Sequence, residues 1–150
     1  MSKSGTDPAW VEDKVRVSSI EKCLNISGLA SREWPRITVV TPASNSAKYI
    51  ENTIRSVDFQ FYPNIEYIVS DNCSSDGTQE ILGKYDFLKA RIAPDKGQAD
   101  ALNRAFKTAR GEILTWLNAD DLLAPFALYK MALAFKQSNA DLIAGQAVFV

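Results

Sequence analysis

The fold is decided by residues 37–45, which read ITVVTPASN. The first five of these residues form a nearly continuous β-branched run that stops at Pro42, which is typical of a strand buried on both faces of a parallel sheet. Polar residues follow, and from Ile50 apolar side chains recur at helical spacing until Pro63 stops the pattern. We interpret this segment as a strand, a loop and a helix, the repeating unit of an α/β protein.

The same alternation continues along the chain. Apolar runs at 65–70, 88–92 and 112–117 predict three more strands, and apolar residues at helical spacing predict a helix after each strand. Pro125 suits the first turn of the last helix, and a fifth strand is expected to begin at Asp141. This order indicates an α/β, Rossmann-like fold, with a mainly parallel sheet and helices on both faces.

The sequence also predicts structural roles for several individual residues. Gly111 lies where the C-terminal cap of the third helix belongs. Trp116 is expected in the core, because large aromatic residues are mostly buried. Asp76, with Gln79 three residues later, fits a capping arrangement for the second helix.

Composition and charge exclude several classes of protein. The 150 residues carry 17 basic and 18 acidic side chains, so the net charge of -1 offers no broad basic field for nucleic acid. With two cysteines and no histidine, the chain cannot form a four-ligand zinc site of Cys and His or a Ser-His-Asp triad. No apolar run approaches a membrane span, and the first residues are too polar for a signal peptide, so a cytoplasmic location is expected. Residues 1–34 are interpreted as an extension of unknown role and 35–150 as the domain.

Polar segments follow each of the predicted strands. In open parallel sheets ligands bind at the carboxyl ends of the strands. The segments therefore converge on one candidate site, and they are 42–45, 71–77, 94–100 and 118–121.

Asp120 and Asp121 are the sharpest feature of that site. Two adjacent carboxylates repel each other unless a cation or hydrogen bonds compensate, and a hard dication such as Mg²⁺ or Mn²⁺ prefers oxygen ligands. The alternative is that one of the two caps the following helix.

The other segments also allow two interpretations each. The loop at 71–77 can grip a base or ribose, or it can be an ordinary Asx-rich turn. Lys96 and Gly97 precede a helix N-terminus, which is a natural anion site, although a solvated lysine and a permissive glycine explain them equally well. Three residues of that helix could face the site or lie on the plain surface: Asp100, Asn103 and Arg104.

Four segments taken together resemble the opening of family 2 glycosyltransferases. They are residues 37–45, 62–78, 96–103 and 111–121, in the order and at the spacing that the family shows. The resemblance implies a GT-A-type fold that binds a nucleotide sugar. One departure is Asn118, where the family motif often has Asp. The larger departure is that family members typically continue well beyond the position of Val150, so the domain is expected to be incomplete at its C-terminus.

The resemblance also implies roles for individual residues. The loop matching Pro42, Ala43 and Asn45 and the acid matching Asp71 would hold the base and ribose, and the acidic motif would hold ribose and a diphosphate-bound Mn²⁺ or Mg²⁺. Asp120 and Asp121 correspond to the metal-binding pair. The remaining nucleotide-sugar-binding candidates are Asp95, Lys96, Gly97, Asp100, Asn103 and Asn118.

The function that the resemblance implies is inverting transfer of a sugar from a nucleotide-diphosphate donor, first of all a UDP-sugar. The acceptor would be a glycan, a lipid or a surface polysaccharide, and the enzyme would lie in the cytoplasm or peripherally at the membrane, with a homo-oligomer left open. The general base is expected beyond Val150, so no catalytic residue is assigned in the chain. Two alternatives are a non-catalytic nucleotide-binding or interaction module left by truncation and an unrelated doubly wound, receiver-like domain.

Overall fold

The computed structural model describes Lys22 and residues 33–145. The predicted extension, 1–34, lies almost entirely outside these residues. Its last residue, Trp34, begins a compact unit and is buried edge-on against Tyr62 and Tyr129, with ring centroids 5.9 and 5.0 Å away.

Strands and helices alternate throughout residues 33–145. They are β1 (Ile37–Ala43), α1 (Ile50–Asp58), β2 (Ile65–Asp71), α2 (Thr78–Leu82), β3 (Leu88–Ile92), α3 (Gln98–Phe106), β4 (Ile113–Trp116) and α4 (Ala127–Gln137). None of these helices is long and apolar enough to cross a membrane.

The four strands form one parallel sheet in the order β3-β2-β1-β4. Strand β1 is central because it pairs with both neighbours: Ile37 lies opposite Ile65 of β2 and opposite Ile113 of β4. Its burial is correspondingly almost complete, as the continuous β-branched run predicts. The parallel α/β architecture expected from the sequence is confirmed.

Both faces of the sheet are covered. Val40 and Ile68 point to one face, where α3 packs its apolar side against them through Leu102, Ala105 and Phe106. Val39 and Val69 are also fully buried and point to the other face, because side chains alternate along a strand. Helix α1 buries a stripe of its own, comprising Ile50, Thr53, Ile54 and Val57.

Four structural expectations are wrong. Pro125 precedes the last helix and is not part of its first turn, because α4 begins at Ala127 with Phe126 as its N-cap. Residues 141–145 form no strand. Trp116 is 55% exposed, because β4 is the outer strand of the four and nothing described covers this side chain. Gly111 caps no helix, since α3 ends at Phe106. Gly111 instead lies against β1, where an added Cβ would come within 2.5 Å of the backbone nitrogen of Thr38.

Candidate active site

A cleft of about 600 Å³ lies at the carboxyl ends of the strands. All four polar segments that follow the strands contribute to it, as the topology of a parallel sheet predicts. Its lining comprises Pro42, Ala43, Ser44, Asn45, Ser46, Tyr49, Asn72, Asp95, Gly97, Gln98, Ala101, Asn118, Ala119 and Asp120. Within this lining the charged side chains are Asp95 and Asp120, so the cleft is acidic.

Asn45 joins the loop after β1 to the loop after β2. Its backbone N–H donates to the hydroxyl of Ser74 at 2.7 Å, and its side-chain oxygen accepts from the backbone N–H of Ser75 at 3.0 Å. Asn45 has a φ of 47°, a left-handed conformation that asparagine tolerates better than most residues. The two loops are therefore built as one wall of the cleft.

Asp76 strengthens the same wall. Its carboxylate accepts from the hydroxyl of Thr78 at 2.6 Å and from the backbone N–H of Ala47 at 2.9 Å, and these contacts lower the pKa of Asp76. It also accepts from the backbone N–H of Thr78 at the start of α2. Gln79 does not complete the expected capping pair, because its amide donates to the carbonyl of Ser74 at 2.8 Å.

Asp71 is fully buried and does not line the cleft. Its carboxylate accepts from the backbone N–H of Ser74 at 2.9 Å and also from the Ser74 hydroxyl, so it holds the loop after β2 in shape. The next residue, Asn72, lines the cleft instead, and its side-chain oxygen accepts from the backbone N–H of Asp95 at 2.9 Å.

The segment from Asp95 to Asn103 divides between the cleft and the outer surface. Asp95 and Gly97 line the cleft, and the carboxylate of Asp95 accepts from the backbone N–H of Gly97 at 2.8 Å. Gly97 has a φ of 109°, which favours glycine. Lys96, Asp100 and Asn103 are not part of the lining.

Asp100 is engaged by its own helix and by the turn that precedes it. Its carboxylate accepts from the backbone N–H of Lys96 at 3.0 Å and forms a 2.7 Å ion pair with Arg104. The Lys96 N–H is the main cause of the lowered pKa of Asp100, and Arg104 adds to it. Asp100 thus fixes the turn that presents Gly97.

The acidic segment at 118–121 forms a turn after β4, closed by a 3.1 Å hydrogen bond from the N–H of Asp121 to the carbonyl of Asn118. The side chain of Asn118 accepts from the amide of Gln98 at 2.6 Å and donates to a carboxylate oxygen of Asp121 at 2.8 Å. Asp120 is exposed, lines the cleft, and makes no side-chain hydrogen bond or ion pair within the described residues.

Neither carboxylate caps α4. That helix begins at Ala127, and Phe126, the residue that precedes it, has no side-chain capping bond. The capping alternative is therefore wrong, and no contact with the start of α4 compensates the adjacent charges of Asp120 and Asp121.

The donor set of the turn fits a hard divalent cation. Asp120 offers a carboxylate without a competing partner among the described residues, and Asp121 has one oxygen beyond the one that Asn118 contacts. Within residues 33–145 no group of three or more His, Cys, Asp or Glu side chains gathers at a point. A cation here would need oxygens from water and a ligand, which is how Mg²⁺ is commonly held beside substrate phosphates.

The structure brings seven of the predicted site residues together in the cleft: Pro42, Ala43, Asn45, Asp95, Gly97, Asn118 and Asp120. Five others lie outside its lining: Asp71, Lys96, Asp100, Asn103 and Asp121. The sequence reasoning missed seven lining residues, namely Ser44, Ser46, Tyr49, Asn72, Gln98, Ala101 and Ala119. Five of these fall within segments that were singled out, so they could have been found by taking each segment whole: Ser44, Asn72, Gln98, Ala101 and Ala119.

Comparison with known proteins places this cleft in context. The chain is similar to a putative teichuronic acid biosynthesis glycosyltransferase, TuaG of Bacillus subtilis, with 39% identity over 58% of this chain and 36% of TuaG. Among solved structures it is similar to residues 1–349 of S. aureus TarS in complex with UDP, at a TM-score of 0.58 and 30% identity, over 68% of this chain and 32% of that TarS chain.

A second solved structure is similar as well. It is the mannosyltransferase PcManGT of Pyrobaculum calidifontis in complex with GDP-Man and Mn²⁺, at a TM-score of 0.60 and 30% identity, over 70% of this chain and 36% of PcManGT. The chain thus spans about a third of the length of TuaG, of PcManGT and of the TarS chain 1–349. These neighbours confirm the expected GT-A-type fold. The family model for glycosyl transferase family 2 matches residues 38–150, and the chain belongs to that family.

Proposed function

We propose that the chain is the donor-binding part of an inverting glycosyltransferase that takes a nucleotide-diphosphate sugar, in the first instance a UDP-sugar, into the cleft. The observation that carries this proposal is the convergence of four strand-end loops on one cleft, whose lining includes the carboxylate of Asp120, a group without a hydrogen-bonding partner among residues 33–145. The UDP and GDP-Man named for the two solved neighbours support a nucleotide donor.

The charge of the cleft supports the use of a divalent cation. Asp95 and Asp120 would repel a diphosphate, and no Lys or Arg stands among the described residues that line the cleft. Asp120, with Asp121 beside it, would hold Mn²⁺ or Mg²⁺. When bound, such an ion offsets the charge of the diphosphate leaving group.

The residues of this chain bind and orient the donor. Polar groups of Asn45 and Asn72 lie at the ends of β1 and β2 and would meet the base and ribose. In the transfer itself an acceptor hydroxyl attacks C1 of the sugar, the bond from C1 to the diphosphate oxygen breaks, and a general base takes the hydroxyl proton. That base is expected beyond Val150 and is assigned to no residue here.

The acceptor that we favour is a cell-surface polysaccharide, because the name of TuaG ties a similar protein to teichuronic acid biosynthesis. A glycan or a lipid-linked acceptor stays an alternative. A cytoplasmic location, with or without peripheral membrane association, also stays a prediction.

Calorimetric titration of the full chain with UDP, in MnCl₂ and in EDTA, tests the donor site. We expect Mn²⁺ to strengthen binding of UDP to the wild-type chain, and Asp120→Ala/Asp121→Ala to remove the Mn²⁺ dependence. The matched control is Asp58→Ala/Asp86→Ala, which makes the same charge change at exposed sites outside the cleft lining.

Two results would overturn the proposal. One is the absence of UDP and GDP binding by the wild-type chain with Mn²⁺ or Mg²⁺. The other is equal Mn²⁺ dependence in the two double variants, which would remove the metal role. Transfer of labelled sugar, lost in Asp120→Ala/Asp121→Ala, would separate the enzyme from a non-catalytic nucleotide-binding module.

A further inference from the structure

A polar stripe beside the apolar side of α1 holds the segment that carries the acidic turn. We define the stripe as Thr53, Ser56 and Gln60. Thr53 and Ser56 are three residues apart on α1 and so are neighbours on its surface, and Gln60 follows shortly after the helix ends at Asp58. Each of the three makes a hydrogen bond to the segment between Ala119 and Leu128.

Thr53 makes the contact nearest to the acidic pair. Its hydroxyl donates to the carbonyl oxygen of Ala119 at 2.8 Å. That oxygen belongs to the peptide unit that links Ala119 to Asp120, and peptide units are planar, so fixing the carbonyl also fixes the backbone nitrogen of Asp120. Thr53 therefore sets the point from which the Asp120 side chain enters the cleft.

Ser56 and Gln60 hold the continuation of the same segment. The backbone N–H of Leu123 donates to the hydroxyl of Ser56 at 3.1 Å. The amide of Gln60 donates to the carbonyl of Ala124 at 3.0 Å, and its oxygen accepts from the N–H of Leu128 at 3.3 Å. Residues 117–126 form no helix or strand of their own, so these side chains supply partners that regular structure would otherwise provide.

Burial makes the Thr53 contact hard to replace. Thr53 is 0% exposed and Ala119 8%. Because water has little access, loss of the hydroxyl would leave the Ala119 carbonyl without a partner, and a buried unsatisfied carbonyl favours movement of its loop. The apolar contacts of α1 do not require a hydroxyl at this position, since valine has the same shape.

We propose that Thr53 is a positioning residue for the divalent-cation site, acting through the Ala119 carbonyl on the carboxylate of Asp120. This inference rests on the proposed function, because the cation and the nucleotide are the ligands that the positioned carboxylate would serve. Hydrogen-bonding partners behind a metal ligand typically change metal affinity by about 10–100-fold when removed.

The test compares Thr53→Val, which keeps the shape and removes the hydroxyl, with Thr53→Ser, which keeps the hydroxyl. The probes are MnCl₂ titrated into the full chain at saturating UDP, followed by the loss of the free Mn²⁺ electron paramagnetic resonance signal, and UDP titrated in EDTA. We expect Thr53→Val to weaken Mn²⁺ binding about tenfold or more. Thr53→Ser should stay within about twofold of wild type, and UDP affinity in EDTA should change little in either variant.

Amide hydrogen exchange supplies a readout that does not depend on the ligand. In Thr53→Val we expect faster exchange of the segment 117–124 without faster exchange of the β1 and β2 amides, whereas Thr53→Ser should match wild type. A role in general packing would instead speed exchange throughout the sheet, and that result would overturn the inference. If Thr53→Val does not fold, Ser56→Ala serves as a milder variant in the same stripe. It is expected to speed amide exchange in the same segment and to weaken Mn²⁺ binding.

Other outcomes separate this inference from the proposed function. Unchanged Mn²⁺ affinity in a folded Thr53→Val or, if that variant does not fold, in Ser56→Ala would overturn the positioning role alone. Equal losses in Thr53→Val and Thr53→Ser would do the same, because the methyl packing and not the hydroxyl would then matter. Wild-type chain that binds neither UDP nor Mn²⁺ would overturn the proposed function and this inference with it.

Discussion

The amide nitrogen of Gln98 lies 2.6 Å from the side-chain oxygen of Asn118, so the first residue of α3 and the turn after β4 meet at the cleft. The other end of the Asn118 amide donates to the carboxylate of Asp121 at 2.8 Å. Asparagine can accept and donate at once, whereas an ionised aspartate can only accept. The asparagine that departs from the usual acidic motif is therefore the residue that bridges Gln98 and Asp121.

Asn118→Asp should destabilise the metal-free chain. The substitution removes the donor to Asp121 and sets a third carboxylate beside two others, and we expect a loss of about 1 kcal/mol in the free energy of unfolding. Mn²⁺ should raise the free energy of unfolding of Asn118→Asp by more than it raises that of wild type. Urea denaturation in EDTA and in MnCl₂ measures both effects.

The control for that prediction is Asn103→Asp, which adds the same charge at an exposed position outside the cleft lining. It should change stability by less than about 0.5 kcal/mol, as surface substitutions usually do. Equal destabilisation by the two variants would mean that net charge, and not the contact with Asp121, is responsible.

Tyr49 is the aromatic residue among the cleft-lining side chains, and it is 46% exposed. Stacking of a base on an aromatic side chain is worth about 1–3 kcal/mol, so under the proposed function Tyr49→Ala should weaken UDP binding by about tenfold. Tyr49→Phe should keep the affinity, because the ring is retained. Calorimetry with UDP measures this, and Phe59→Ala removes an exposed ring outside the cleft lining as control. Unchanged affinity in Tyr49→Ala would exclude stacking.

The sequence predicted the four strands of the sheet and the edge where their loops meet, because a β-branched run and helical spacing are local signals. The sequence did not predict which polar side chain of each loop faces the cleft. Asp71 still pairs with Ala43 in the sheet and turns into the interior, whereas Asn72, one residue later, turns outward. Neighbouring residues in extended chain point in opposite directions, so Asp71 and Asn72 cannot both face the cleft, and the register of β2 decides which one does.

Other features that the sequence did not predict also depend on tertiary structure. The hydrophobicity of Trp116 says nothing about whether its strand is central or outermost, and the strand order decides that. The contact of Thr53 with Ala119 joins residues 66 positions apart, so no local pattern reports it. Asp100 carries the charge of a site residue, yet its helical neighbour Arg104 engages it.

Gly111→Ala should destabilise the chain. A Cβ at this position would lie 2.5 Å from the Thr38 nitrogen and 2.8 Å from the Ile113 carbonyl oxygen, both of which are backbone atoms of paired strands. Forcing extra volume into a packed site costs about 1–3 kcal/mol. Gly83→Ala is the matched control, because its nearest atoms would be 3.6 Å away, and it should be neutral or stabilising by up to about 1 kcal/mol. Urea denaturation distinguishes them, and equal stability of both variants would contradict the close approach.

Glu66 joins three strands at a distance from the cleft. Its buried carboxylate accepts from the hydroxyl of Thr38 on β1 at 2.8 Å and from the ammonium of Lys89 on β3 at 2.6 Å. It also accepts from the backbone N–H of Arg110 at 2.7 Å. Burial alone would raise the pKa of Glu66, but the hydrogen bonds from Lys89, the Arg110 N–H and Thr38 outweigh it and lower the pKa to about 2.

Glu66→Gln should therefore abolish a pH-dependent part of stability. The pKa of Glu66 falls from 4.5 to about 2 on folding, so ionised Glu66 stabilises the chain fully above pH 4.5, and this contribution is lost as the pH falls toward 2. The shift corresponds to about 3 kcal/mol. The free energy of unfolding of wild type should exceed that of Glu66→Gln at pH 7, and the difference should shrink by about that amount by pH 2. Urea denaturation of both proteins between pH 7 and 2 measures it, and a difference that does not change with pH would mean that folding does not lower the pKa of Glu66.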